Sequence, residues 1–137
     1  MNRDALTDQL IREEGMVLHV YDDSLGHPTL GVGRLVSSDR GISEAEAIYL
    51  LDNDITLVCQ DLDRNVPWWG DTPECVQHAL CDLAFNLDIV QLLKFSKTLA
   101  LLEASDCQAA SIELLDPNLS AAAASAQPAC LRSDCAG

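Results

Sequence analysis

Basic residues are scarce in this chain of 137 residues: eight Lys and Arg stand against twenty-two Asp and Glu, a net charge of −14 with histidine neutral. A surface of that sign repels phosphate backbones and anionic membrane surfaces, so neither nucleic acid nor stable membrane insertion is expected. Aromatic residues make up only 4% of the chain and hydrophobic residues 48%, which leaves a core of Leu, Ile, Val and Ala and a mainly α protein. The six cysteines (Cys59, Cys75, Cys81, Cys107, Cys130, Cys135) form no C-x-x-C pair, and His19, His27 and His78 are scattered. No metal site and no cofactor is expected, and most of the cysteines read as buried thiols. Arg3, Asp4, Asp8, Arg12, Glu13 and Glu14 interrupt the first twenty residues, so no apolar run is present for a signal peptide or a membrane anchor. The expected product is soluble and made in the cytoplasm, and work outside it requires a separate release route.

What is present is organised. Leu6, Leu10 and Ile11 recur at helical spacing over residues 4 to 14, and Gly15 suits the left-handed position that ends a helix. Residues 17 to 21 turn β-like, and Asp22, Asp23, Ser24 and Gly26 lead through a turn into a strand expected over residues 29 to 35. Ser43 and Glu46 fit a capping box, followed by Ile48, Leu51, Ile55, Val58 and Leu62 as the apolar face of a helix of about 20 residues. Thr72 and Pro73 read as N-cap and first helical position of the next helix, whose face is Val76, Leu80, Leu83, Ala84 and Leu87. Shorter helices are expected over residues 96 to 104 and 106 to 115, with Pro117 as a stop. Residues 117 to 137, rich in Ala and Ser, read as a low-complexity tail.

The chemistry concentrates near the start. Glu14 ends its helix at the negative pole of the macrodipole beside like-charged Glu13, and both effects penalise its charged form. A partly desolvated carboxyl of that kind suits a general acid. Nine residues on, Asp23 lies in a polar turn that favours the ionised form. Glycosidic cleavage needs that division of labour: one acid protonates the leaving oxygen, and one carboxylate activates water or stabilises a developing oxocarbenium ion. By a period of two, Thr29 shares a strand face with Gly31 and Gly33, where a ligand can approach the backbone and the Thr29 hydroxyl can hold a water against Asp23. On spacing alone the plainer reading stays open: an exposed helix end, aspartates as turn formers, and glycines that relieve hairpin strain.

Taken together, "EEG", "VYDD", "GHPTLGVGRL", "ISEAEAIYLLDNDI" and "ALCDLAFNLDI…LLKFSKTLALLEASD" resemble the phage-type lysozymes, the muramidases of glycoside hydrolase family 24. The resemblance covers residues 6 to about 116. Its most specific part is a Glu-Gly, an acid nine residues after the Glu, and a Thr-x-Gly-x-Gly six residues further on. It implies Glu14, Asp23 and Thr29 as catalytic residues; Gly31 and Gly33 on the open strand face and His27 in the hairpin turn are the candidates for substrate contact, with a solvated turn histidine the plainer reading of His27. It also implies hydrolysis of the β-1,4 bond between N-acetylmuramic acid and N-acetylglucosamine in peptidoglycan glycan strands by a monomer, released through a separate membrane-permeabilising protein. The implied fold is α+β, mainly α, and lysozyme-like: a small β-hairpin lobe (about 15 to 41), a long helix (about 43 to 63) and a helical lobe (about 72 to 116), with the tail outside this domain. A degenerate relative that binds wall glycan, or serves a structural role without cleaving it, is the alternative.

Three other groups admit two readings. Trp68 and Trp69 suit core packing better than stacking on a sugar. Arg34 is placed to pair with Glu14 or Glu13. Asp52, Asp54, Asp61 and Asp63 resemble a calcium surface only in composition, since no D-x-[DN]-x-[DN]-G loop is present.

Overall fold

The first helix follows from its ends. In the computed structural model, which describes residues 1–37 and 40–115, the Asn2 side chain accepts from the Ala5 N–H at 3.1 Å and starts α1 (Arg3–Glu14). Gly15 stops it at φ 76° and ψ 169°, a conformation open to glycine, with its N–H donating to the Ile11 carbonyl. Then come β1 (Val17–Asp22), β2 (Pro28–Gly31) and β3 (Arg34–Leu35), an antiparallel sheet in the order β1-β2-β3. Tyr21 faces Thr29 and Thr29 faces Leu35 across it, and an irregularity between Val17 and Tyr21 shifts the register of the first pair.

The expected single strand over residues 29 to 35 is therefore corrected. Gly31 and Gly33 take φ 68° and 64°, values that leave the extended region and fold the segment into a tight turn between β2 and β3. One strand becomes two, and the hairpin becomes a three-stranded sheet.

Ser43 and Glu46 form the reciprocal capping box: the Glu46 N–H donates to Ser43 Oγ at 3.2 Å and the Ser43 N–H to Glu46 Oε2 at 2.7 Å. They open α2 (Glu44–Asn65), of which Leu62 is buried, whereas Ile48, Leu51 and Ile55 of the expected apolar face are exposed. A short 3₁₀ turn (Trp69–Asp71) leads into α3 (Glu74–Leu87), α4 (Ile89–Leu92), α5 (Ser96–Glu103) and α6 (Cys107–Leu114). Pro73, not Thr72, holds the cap position of α3, because the Thr72 hydroxyl turns back to donate to the Trp69 carbonyl at 2.6 Å.

The chain divides into two units, Met1–Ala47 and Ile48–Gly137. In the second, Leu62 and Val66 pack with Val76, Leu80, Leu83 and Leu87 of α3, Leu92, Leu102 and Leu114 in one core cluster, against which Trp68 and Trp69 lie half-buried. The expected face of α3 is buried throughout, each Leu contributing roughly 2 kcal/mol of transfer free energy. The Trp69 indole N–H donates to Asp63 Oδ1 at 2.7 Å, which supports the packing reading of this residue. Of the described cysteines only Cys107 is buried, while Cys59, Cys75 and Cys81 are half-buried, so the expectation of mostly buried thiols holds for one of four. The architecture is α+β and mainly α, as expected. The reading of residues 117 to 137, with Cys130, Cys135 and Arg132, lies outside the described residues.

Candidate active site

The aspartate pair begins a turn whose geometry Asp23 itself dictates. Its Oδ1 accepts from the Leu25 N–H at 2.9 Å and from the His27 N–H at 2.8 Å, while its own N–H donates to the His27 carbonyl at 2.9 Å. This is an Asx-type turn, in which a short carboxylate replaces backbone partners. The His27 N–H first, then Leu25 and the His27 imidazole with Nδ1 3.6 Å from Oδ2, hold the Asp23 carboxyl below the usual carboxylate range against a smaller desolvation effect. Asp23 is thus kept ionised, as its turn position predicts.

Thr29, one residue into β2, is 4% exposed and is the one buried residue among those described in the first unit. Its hydroxyl donates to the His27 carbonyl at 3.0 Å, which ties Thr29 to the same turn that holds Asp23. The oxygen retains lone pairs with which to accept a hydrogen bond from water. His27 itself is exposed, and its contribution to the turn runs through its backbone N–H and carbonyl as well as its ring.

Glu14, in the last turn of α1, reaches the β2–β3 turn. A Cβ placed on Gly33 would stand 3.2 Å from Glu14 Oε2, so the carboxyl lies against the Gly33 backbone. Gly33 therefore does not share a strand face with Thr29. It is the glycine of a turn, favoured by its positive φ, and a Cβ there would crowd the carboxyl beside it. Gly31 is different: a Cβ there would meet nothing within 4 Å, so its surroundings are open. Glu14 is exposed, and its own unit does not supply the desolvation expected around it.

Arg34 does not pair with Glu14 or Glu13. Its guanidinium forks onto Glu46, with Nη1 on Oε1 and Nη2 3.2 Å from Oε2, and also reaches the Gly41 carbonyl at 3.3 Å. The Ser43 N–H and then Arg34 hold the Glu46 carboxyl down from 4.5 to about 2. Among the described residues no hydrogen bond or ion pair reaches the Glu14 carboxyl. Sequence reasoning found the Ser43–Glu46 cap and missed that the same glutamate takes Arg34 as its partner. The sequence signal was a second acceptor three residues past the cap, with a spare oxygen to offer.

The structure thus brings Asp23, His27 and Thr29 into one hydrogen-bonded turn and sets Glu14 against Gly33 at the neighbouring turn. A family model described as phage lysozyme matches residues 11–125, which include all of these positions. The pre-baseplate central spike protein Gp5 of Enterobacteria phage T4 is 25% identical over 133 residues, covering 77% of this chain and 23% of that protein. The chain spans about a quarter of the length of that curated relative. With most of its length matched by the family model and the described part of that segment folded as a small antiparallel sheet followed by helices, the chain belongs to the phage lysozyme family.

Proposed function

We propose that this chain is an endolysin-type muramidase that hydrolyses the β-1,4 bond between N-acetylmuramic acid and N-acetylglucosamine in bacterial peptidoglycan. Family membership supports the broader class, a peptidoglycan-hydrolysing glycosidase. In the residue-level reading Glu14 is the general acid, Asp23 its carboxylate partner and Thr29 the group that positions water, with Gly31, Gly33 and His27 at the substrate. The observation that carries it is the contrast between the two carboxyls. Asp23 is fixed in its charged form by the His27 and Leu25 N–H groups, whereas Glu14 sits at a helix C-terminus against Gly33 while Arg34 is held elsewhere.

Glu14 delivers its proton to the glycosidic oxygen as the bond breaks, and the Asp23 carboxylate offsets the positive charge that develops on the sugar ring. A water that donates a hydrogen bond to Thr29 Oγ1 adds its oxygen to the anomeric carbon, and a carboxylate of the pair takes up the proton the water releases. No helix among the described residues is long and apolar enough to cross a membrane. Glu14→Gln, which keeps the shape and removes the acid, should slow solubilisation of purified peptidoglycan by at least about 10²-fold with an unchanged circular dichroism spectrum. Equal rates would sink the assignment.

The relative's name favours a second reading. Gp5 is a central spike protein of which this chain spans 23%, and a wall-binding component of a larger particle needs no cleavage. Co-sedimentation with insoluble peptidoglycan, without release of soluble fragments, would favour it.

A further inference from the structure

Arg34 follows Gly33 directly, and its side chain is anchored outside the sheet. The guanidinium forks onto both carboxylate oxygens of Glu46 and also donates to the Gly41 carbonyl at 3.3 Å. That anchor is itself fixed, because the Ser43 N–H donates to Glu46 Oε2 at 2.7 Å and ties the carboxylate to the start of α2. All of these residues lie in the first unit. By contrast, β3 is only two residues long, pairing Leu35 with Thr29 and Arg34 with Leu30, and so short a strand has little ladder of its own with which to hold a turn. What a bidentate fork adds beyond charge is direction, which restrains the chain that carries it.

The β2–β3 turn is also the wall against which Glu14 lies. A Cβ on Gly33 would stand 3.2 Å from Glu14 Oε2, and among the described residues no hydrogen bond or ion pair reaches that carboxyl. From this chain of contacts we infer that Arg34 is a positioning residue: its fork onto Glu46 sets where the Gly33 turn stands, and the turn sets where the Glu14 carboxyl stands. This role rests on the reading of Glu14 as the general acid. Arg34 carries no proton to the substrate and acts through Gly33 alone. A general acid must come within about 2.6 to 3.2 Å of the oxygen it protonates, and a misplacement of about 1 Å costs up to about 10²-fold in rate. Proton delivery is made in the transition state, so loss of the fork should appear in kcat and leave KM near its wild-type value.

The test compares the intact chain with Arg34→Met, Glu46→Gln and the double variant. Arg34→Met keeps the length of the side chain and removes the fork; Glu46→Gln keeps an acceptor for the Ser43 N–H and removes the charge. On soluble glycan strands from peptidoglycan each single variant should lower kcat about tenfold, with KM within about twofold of wild type. The double variant should be no slower than the slower single one, since both substitutions break the same link. Independently of activity, the Gly33 N–H order parameter should fall well below the rigid value of about 0.85 in Arg34→Met while α1 keeps its own. Wild-type kcat in Arg34→Met, a loss confined to KM, multiplied losses in the double variant, or an unchanged Gly33 order parameter would each overturn the inference. Glu14→Gln, measured alongside, separates the two readings. Wild-type activity there would remove the general acid and the positioning role with it, whereas an inactive Glu14→Gln beside a fully active Arg34→Met would remove the positioning role alone.

Discussion

At Gly33 two demands meet in one position. The backbone there has φ 64°, and an added Cβ would stand 3.2 Å from Glu14 Oε2. Gly33→Ala would incur about 1 to 2 kcal/mol of left-handed strain and push the Glu14 carboxyl away. Hydrolysis of peptidoglycan should fall at least about tenfold while the helical spectrum is retained; full activity in a stably folded variant would remove Glu14 from its proposed place. The motif "TLGVG" was legible as a place where glycine matters, and the reason was not. Strand alternation puts every second residue on one face, but that logic holds only while φ stays negative, and both glycines break it. Asp23 was easier to read, since an aspartate two and four residues ahead of available N–H groups makes its own anionic turn whatever the rest of the chain does.

At the scale of elements, caps decide more than propensities do. The Ser43–Glu46 box and the Arg34 fork draw on one carboxylate, held at about 2 instead of 4.5. A depressed value of this kind stabilises the folded state in full above 4.5, and the contribution is lost as pH falls through about 2. The melting midpoint of the wild type should therefore drop over that window more steeply than that of Glu46→Gln; parallel curves would contradict the account. At the other end of α3, Asp88 serves as C-cap of α3 and N-cap of α4, with φ 62°, ψ 163° and Oδ1 accepting from the Gln91 N–H at 2.9 Å. That backbone region belongs to glycine and strains other residues by about 1 to 3 kcal/mol, whereas exchanging an Asp cap for Gly forfeits only a few tenths. Asp88→Gly should stabilise the protein by about 1 kcal/mol and raise the midpoint by about 3 °C, and an unchanged or lower midpoint in a scanning melt would contradict this. The face of α3 was legible, because its 3.6 period is clean. The face of α2 was not, because a periodic stripe shows which residues share a side and not whether anything covers it: Leu62 is buried and Ile48, Leu51 and Ile55 are exposed.

Over the whole molecule the net charge of −14 sets how it meets an anionic wall. On the proposed wall substrate this charge supplies no long-range attraction, association would rest on sugar contacts, and repulsion would weaken as the Debye length falls from about 30 Å at 0.01 M salt to about 8 Å at 0.15 M. Initial rates on purified walls should rise across that range, and a fall would mean that some local positive surface guides binding. The architecture was legible from periodicity, caps and turn residues, and the three-stranded sheet was the part that needed coordinates. The candidate site was proposed from spacing together with the family resemblance, since spacing alone left the plainer reading open; the allocation of Arg34 to Glu46 was not legible, since a cation chooses its partner in space. The central claim concerns one bond, and the reducing ends that appear when the chain digests purified peptidoglycan test it most directly. Borohydride reduction followed by mass spectrometry should find the new ends on N-acetylmuramic acid with the wild type and none above background with Glu14→Gln. New ends on N-acetylglucosamine, or equal release by both proteins, would contradict it.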